Sequence, residues 1–120
     1  ADAVQQAENN IDELIENGTI QGKVEQIHDE RGNKVEGQYQ VITYLHFYLP
    51  VPYGYNDMRR VRLASRDIAP ALPKELIMPF LQSLAKKYEN AGYMVDPVHY
   101  AGGERGWIVL KYNRSDTPQG

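Results

Sequence analysis

Histidine is the side chain best suited to acid–base work near neutral pH and to zinc binding, and the chain carries three: His28, His46 and His99. No two lie at i, i+4, the spacing from which one helix presents two imidazoles to a single ion. His28 is followed by Asp29 and Glu30, so an imidazole adjoins two carboxylates. The segment reads as a turn, however, where such groups are solvated rather than gathered in a cleft around a reacting atom. Ser65 and Ser83 lack the Gly-x-Ser-x-Gly context of a nucleophile elbow. Gly102-Gly103-Glu104-Arg105-Gly106 has the glycines of a phosphate loop but leads into a strand, not into a helix whose free N–H groups would bind the anion. There is no cysteine, which removes disulfides, thiolate chemistry and cysteine-ligated zinc together. No catalytic residue, metal site or cofactor is expected from these patterns.

A different chemistry is carried by tyrosine and arginine. Tyr44, His46 and Tyr48 alternate along one segment, Tyr53 and Tyr55 follow in the next, and Arg59, Arg60, Arg62 and Arg66 come immediately after. Rings beside guanidinium groups on an open sheet can anchor a protein interface, since each offers apolar area and a polar handle. The same set can stack bases and meet phosphates of a single-stranded nucleic acid. A third reading is structural: the first helix covers this face, and the tyrosines and arginines stabilise the sheet as cross-strand pairs.

The elements that must position these residues follow from periodicity. Val4, Ala7, Ile11, Leu14 and Ile15 recur at three- and four-residue spacing, predicting a helix over 3–17 that Gly18 terminates. Thr19–His28 reads as a strand, Asp29–Asn33 as a hairpin turn and Val35–Leu49 as a long strand. Its odd positions (Val35, Tyr39, Val41, Leu45, Phe47, Leu49) form a core face at period two. Its even positions begin polar (Glu36, Gln38, Gln40) and become Ile42, Tyr44, His46 and Tyr48, so the second half is non-polar on both sides. Pro50–Asp57 is a loop and Met58–Ala64 a third strand, with Arg60 and Arg62 on the side away from Val61 and Leu63. A second helix lies within 73–91, its apolar face made by Leu76, Ile77, Phe80, Leu81, Leu84, Ala85 and Tyr88. Pro79 inside it implies a kink or a start near that residue. Tyr93–Tyr100, broken or at an edge because of Pro97, and Trp107–Tyr112 form a closing hairpin. A frayed tail is expected over 113–120.

The order α-β-β-β-α-β-β predicts an α+β fold, a single domain over 1–120 with a mainly antiparallel sheet of about five strands. Of 120 residues, 42% are hydrophobic and 24% charged, which excludes gross disorder, and no apolar run approaches the roughly 20 residues of a membrane span. The opening Ala-Asp-Ala fits the mature end left by a signal peptidase as well as an arbitrary chain boundary. The expectation is a soluble chain, with cytoplasmic residence favoured over a secreted or periplasmic mature form. Net charge is −3, unevenly spread: residues 1–36 carry −6 and residues 37–120 carry +3. Either the basic stretch faces an outside polyanion, or the acidic first helix lies beside the basic strand.

Three function classes remain. The leading expectation is a non-enzymatic domain that binds a protein partner or a second copy of itself through Tyr44, His46, Tyr48, Tyr53, Tyr55, Arg60 and Arg62. The alternative is a single-stranded nucleic-acid module on the same face, against which the overall acidity counts. An enzyme with a dispersed site comes third.

Overall fold

The computed structural model describes residues 2–48, 58–63, 66–101 and 105–115. Helix α1 spans Asp2–Glu16, and its apolar stripe buries Ala7, Ile11 and Leu14. Gly18 ends it at φ 80°, a left-handed conformation open to glycine without a Cβ penalty. The chain turns back so that the Ile20 N–H donates to the Leu14 carbonyl at 2.9 Å. Strands β1 (Lys23–His28) and β2 (Lys34–Tyr48) follow. Asp29 Oδ1 closes their turn by accepting from the N–H groups of Arg31 at 2.9 Å and Asn33 at 2.8 Å. The remaining elements are β3 (Met58–Leu63), β4 (Arg66–Pro73), α2 (Lys74–Asn90), β5 (Met94–Val95), β6 (His99–Ala101) and β7 (Arg105–Ser115).

Every described strand pairing is antiparallel. The sheet runs β4-β3-β2-β7-β5, with β1 also on β2 and β6 also on β7. The fold is therefore α+β, as its periodicities imply, with two helices and seven strands among the described residues. The two extra strands have plain causes. Segment 66–73 contains Pro70 and Pro73 and does not read as a strand, yet it forms β4. Proline is tolerated there because β4 is the terminal strand, whose outer edge needs no ladder hydrogen bond. The expected strand Tyr93–Tyr100 is divided into β5 and β6, with Pro97 between them. Helix α2 begins at Lys74 and continues through Pro79. A proline in a helix interior costs about 3 kcal/mol; burial of Ile77, Phe80, Leu81, Leu84 and Tyr88 on the same helix is large enough to offset it. Asn113–Ser115, expected to fray, pair with Gln38–Gln40 and extend β7.

Both helices pack on the odd face of β2. Ala7, Ile11 and Leu14 of α1 and the buried residues of α2 form one cluster with Leu45 and Phe47 of β2, Val61 and Leu63 of β3, Ile68, Ala69 and Leu72 of β4, and Ile108 and Leu110 of β7. Phe80 meets Phe47 edge-to-face at 6.0 Å between ring centroids. Between the helices, the Tyr88 hydroxyl donates to Asp12 Oδ1 at 2.6 Å and Lys87 forms an ion pair with the same carboxylate.

The edge of β2 opposite β7 is shared by two strands that do not meet. β1 pairs with β2 as far as Ile42, and β3 begins to pair at Phe47. Thr43–His46 therefore have no strand on that edge among the described residues. Gly22 lies where β1 approaches this opening. A Cβ there would stand 2.4 Å from Val41 Cγ1 and 2.8 Å from Thr43 Oγ1, closer than any real contact, so the chain passes only because the residue is glycine.

Candidate interaction face

The even face of β2 carries neither helix. Directly opposed residues of an antiparallel pair point the same way, so the register states which side chains share this face. Tyr44 opposes Val109, His46 opposes Trp107, and Tyr48 opposes Arg105 on β7. On the other edge Tyr48 opposes Arg62 of β3. Across β7, His99 of β6 also opposes Trp107. Two rows result: Arg62, Tyr48 and Arg105 in one, His46, Trp107 and His99 in the next.

The rings of these rows touch. Centroids of His46 and Tyr48 are 4.7 Å apart. Tyr44 and Trp107 each meet His46 edge-on at 6.0 Å. His99 stacks on Trp107 at 3.9 Å with the planes 20° apart. Five aromatic side chains thus form one continuous surface, and Trp107 is the sole tryptophan of the chain. Tyr44 is 55% exposed and Tyr48 38%. The first helix does not cover this face: its buried residues pack with the odd-face side chains Leu45 and Phe47, whereas the cross-strand pairing of tyrosine with arginine is present where Tyr48 stands between Arg62 and Arg105.

The arginines behave differently from expectation. Of the β3 arginines, Arg62 is the one placed opposite a tyrosine, because β3 reaches β2 at Phe47 and Tyr48 alone. Arg60 and Arg62 both turn to Asp67 of β4, at 3.0 and 2.6 Å. The carboxyl of Asp67 is held below its usual range, chiefly by the hydrogen bond from Arg62 and then by the charges of both arginines. The acid that meets the basic strand is thus this β4 aspartate, while Asp12 of the acidic helix pairs with Lys87 instead. At the other end of the face Lys111 meets Asp96 at 3.4 Å.

Of the residues singled out in the sequence, Tyr44, His46, Tyr48 and Arg62 come together. Arg60 sits at the margin on Asp67, and Tyr53 and Tyr55 lie outside the described residues. The sequence reading misses Trp107, His99, Arg105 and Asp67. The alternation of Trp107, Val109 and Lys111 with buried Ile108 and Leu110 places the tryptophan on the open side, but only the long-range pairing of β7 with β2 sets it beside His46. Among the described residues no group of three or more His, Asp or Glu is placed to hold a metal ion, and His28 lies on β1, away from the cluster.

Among the described residues Tyr88 is the one strongly perturbed acid. Burial first, and then the Asp12 carboxylate that accepts its proton, push the phenol far above its ordinary value. It sits between the helices on the opposite side of the sheet, where it fastens α1 to α2. No described helix is long and apolar enough to cross a membrane. Comparison of the chain with protein-family models, with curated proteins and with solved structures finds no match, so what can be inferred about its role comes from the side chains of this face.

Proposed function

We propose that the chain is a non-enzymatic interaction domain that binds a partner protein, or a second copy of itself, through the open face of its sheet. The observation that supports this most is the five-ring surface of Tyr44, His46, Tyr48, Trp107 and His99, left without a helix and flanked by Arg62 and Arg105. Tryptophan, tyrosine and arginine are the residues that dominate interface energetics, and here exposed Tyr44 and Tyr48 are continuous with half-buried His46 and Trp107, an aromatic patch of the kind that marks interaction sites. The sharing of Asp67 by Arg60 and Arg62 supports a protein partner over a nucleic acid. A carboxylate between two guanidinium groups cancels part of the charge that phosphate contacts need.

The exposed rings also suit base stacking, which keeps single-stranded nucleic acid as the second reading. One set of measurements tests both. A Tyr48→Ala/Trp107→Ala chain should lose the partner that the wild type captures from its source cell, or its dimer mass in light scattering at high concentration. Its circular dichroism should retain the signature of the wild-type fold. Retention of partner and mass by this variant would overturn the reading. Titration with a single-stranded oligonucleotide at physiological salt should show binding no tighter than millimolar. Micromolar affinity that falls steeply with salt and is lost in Tyr44→Ala would put nucleic acid in place of protein.

A further inference from the structure

The opening in the β2 edge is also the mouth of a pocket. Leu14 of α1, Ile20 of the connecting turn and Leu63 of β3 line its apolar part, while Tyr44, His46 and Arg66 line its polar part, around a volume of about 360 Å³. Leu14 and Leu63 are each only 7% exposed, so they belong to the core, which the pocket reaches from the open face. The volume lies at the small end of the range for ligand sites. Beside the pocket, Thr43–His46 have no strand partner on this edge among the described residues. Tyr44 and His46 belong at once to this pocket and to the aromatic surface.

Three features therefore converge: an aliphatic recess, an arginine among its lining residues, and the short edge Tyr44–His46, which has no strand partner among the described residues. An aliphatic side chain fits the first, a carboxylate the second through charge-assisted hydrogen bonds, and an extended backbone the third by strand addition. The C-terminal residue of a peptide combines all three chemistries. We infer that this pocket receives the C-terminal aliphatic residue of a partner chain, its side chain against Leu14, Ile20 and Leu63 and its terminal carboxylate at Arg66. The inference deepens the interaction reading above and rests on it: the aromatic surface would carry the rest of the partner, and the pocket would select its end.

The probes are a hexapeptide ending in Val-Leu with a free carboxylate, the same peptide amidated at its C-terminus, and 4-methylpentanoate. Binding to the full chain is read by calorimetry and by the fluorescence of Trp107, which stands next to His46. The free-carboxylate peptide should bind at least about tenfold more tightly than the amide, the size expected for hydrogen bonds to a charged group. Arg66→Gln should bring the two peptides to equal affinity. Ile20→Asn should weaken both, with the circular dichroism of the fold retained. Equal affinity of acid and amide for the wild type, a preference that survives Arg66→Gln, or absence of binding by either peptide would overturn the inference. So would 4-methylpentanoate binding as tightly as the peptide, which would make the site one for free carboxylic acids. Tyr48→Ala/Trp107→Ala keeps the pocket-lining residues. Loss of the natural partner in that variant, with no peptide preference in the wild type, would sink the pocket and leave the interaction face standing.

Discussion

Phe47 and Tyr48 are consecutive residues of β2 and live on opposite sides of one sheet. Phe47 is fully buried and meets Phe80 of α2; Tyr48 is 38% exposed and meets His46, with Arg62 and Arg105 as cross-strand neighbours. Both faces of this half of the strand are aromatic and apolar, so hydrophobicity alone does not distinguish them. The difference is that two helices supply an apolar stripe for one face and none for the other. Burial of the odd face stabilises the fold; exposure of the even face leaves aromatic area whose removal from water remains available to a partner.

This contrast is testable from its strongest consequence downward. Phe80→Ala should destabilise the chain by about 3–5 kcal/mol, the range for truncating a buried phenylalanine, measured by urea unfolding. A loss below about 1 kcal/mol would mean that α2 does not anchor the covered face. Tyr88→Phe removes the donor to Asp12 and should cost roughly 1.5–3 kcal/mol, as for hydrogen bonds to a charged group. The phenol pKa is raised by folding. Its contribution is therefore complete below the ordinary tyrosine pKa and lost as pH rises beyond it, where unfolded chains release the proton first. Wild-type stability should consequently fall at alkaline pH more steeply than that of Tyr88→Phe; parallel pH profiles would show that the phenol is neither buried nor bonded to Asp12 in solution.

Gly22→Ala should cost about 1–3 kcal/mol, the usual penalty of forcing a methyl group into packed surroundings. Val41 is buried and β-branched and gives little room. An unchanged unfolding midpoint would show that β1 does not approach β2 as closely as the structure has it. On the open face, Tyr48→Ala should change stability by less than about 1 kcal/mol, the scale of a cross-strand pair, while abolishing partner binding. A large loss of stability would make this tyrosine structural and erase the contrast between the faces. Asp67→Asn should have the smallest effect on folding, because exposed ion pairs contribute little. What stability it provides is present above the ordinary aspartate range and lost as pH falls through the lowered folded value, so wild type and variant should differ at neutral pH, if at all, and converge in strong acid. Its informative readout is charge: freeing Arg60 and Arg62 should raise any weak oligonucleotide affinity, measured by its salt dependence.

Local patterns were sufficient wherever one segment settles its own state. The stripe of Ala7, Ile11 and Leu14 implies α1 and its inward side. The alternation of Val41, Leu45 and Phe47 identifies the covered face of β2, and the period of Ile77, Phe80, Leu81 and Leu84 marks α2 as the core helix. Segment 66–73 was illegible because its prolines speak against a strand in general, and only its place at the end of the sheet makes them harmless. Arg60 and Arg62 were legible as an outward pair, but their partner Asp67 becomes visible only once β4 exists.

The sequence by itself thus determined the α+β class, the two amphipathic helices and the odd–even division of β2, because helix and strand periods are properties of neighbouring residues. Tertiary structure alone decided that the second apolar face, of Tyr44, His46 and Tyr48, would carry no helix, and it placed Trp107 and His99 beside His46. The second outcome depends on pairing β2 with β7, strands separated by more than fifty residues. No local period encodes such a pairing. It is selected by the packing of the whole chain, which can bury only one side of the sheet with the two helices it has.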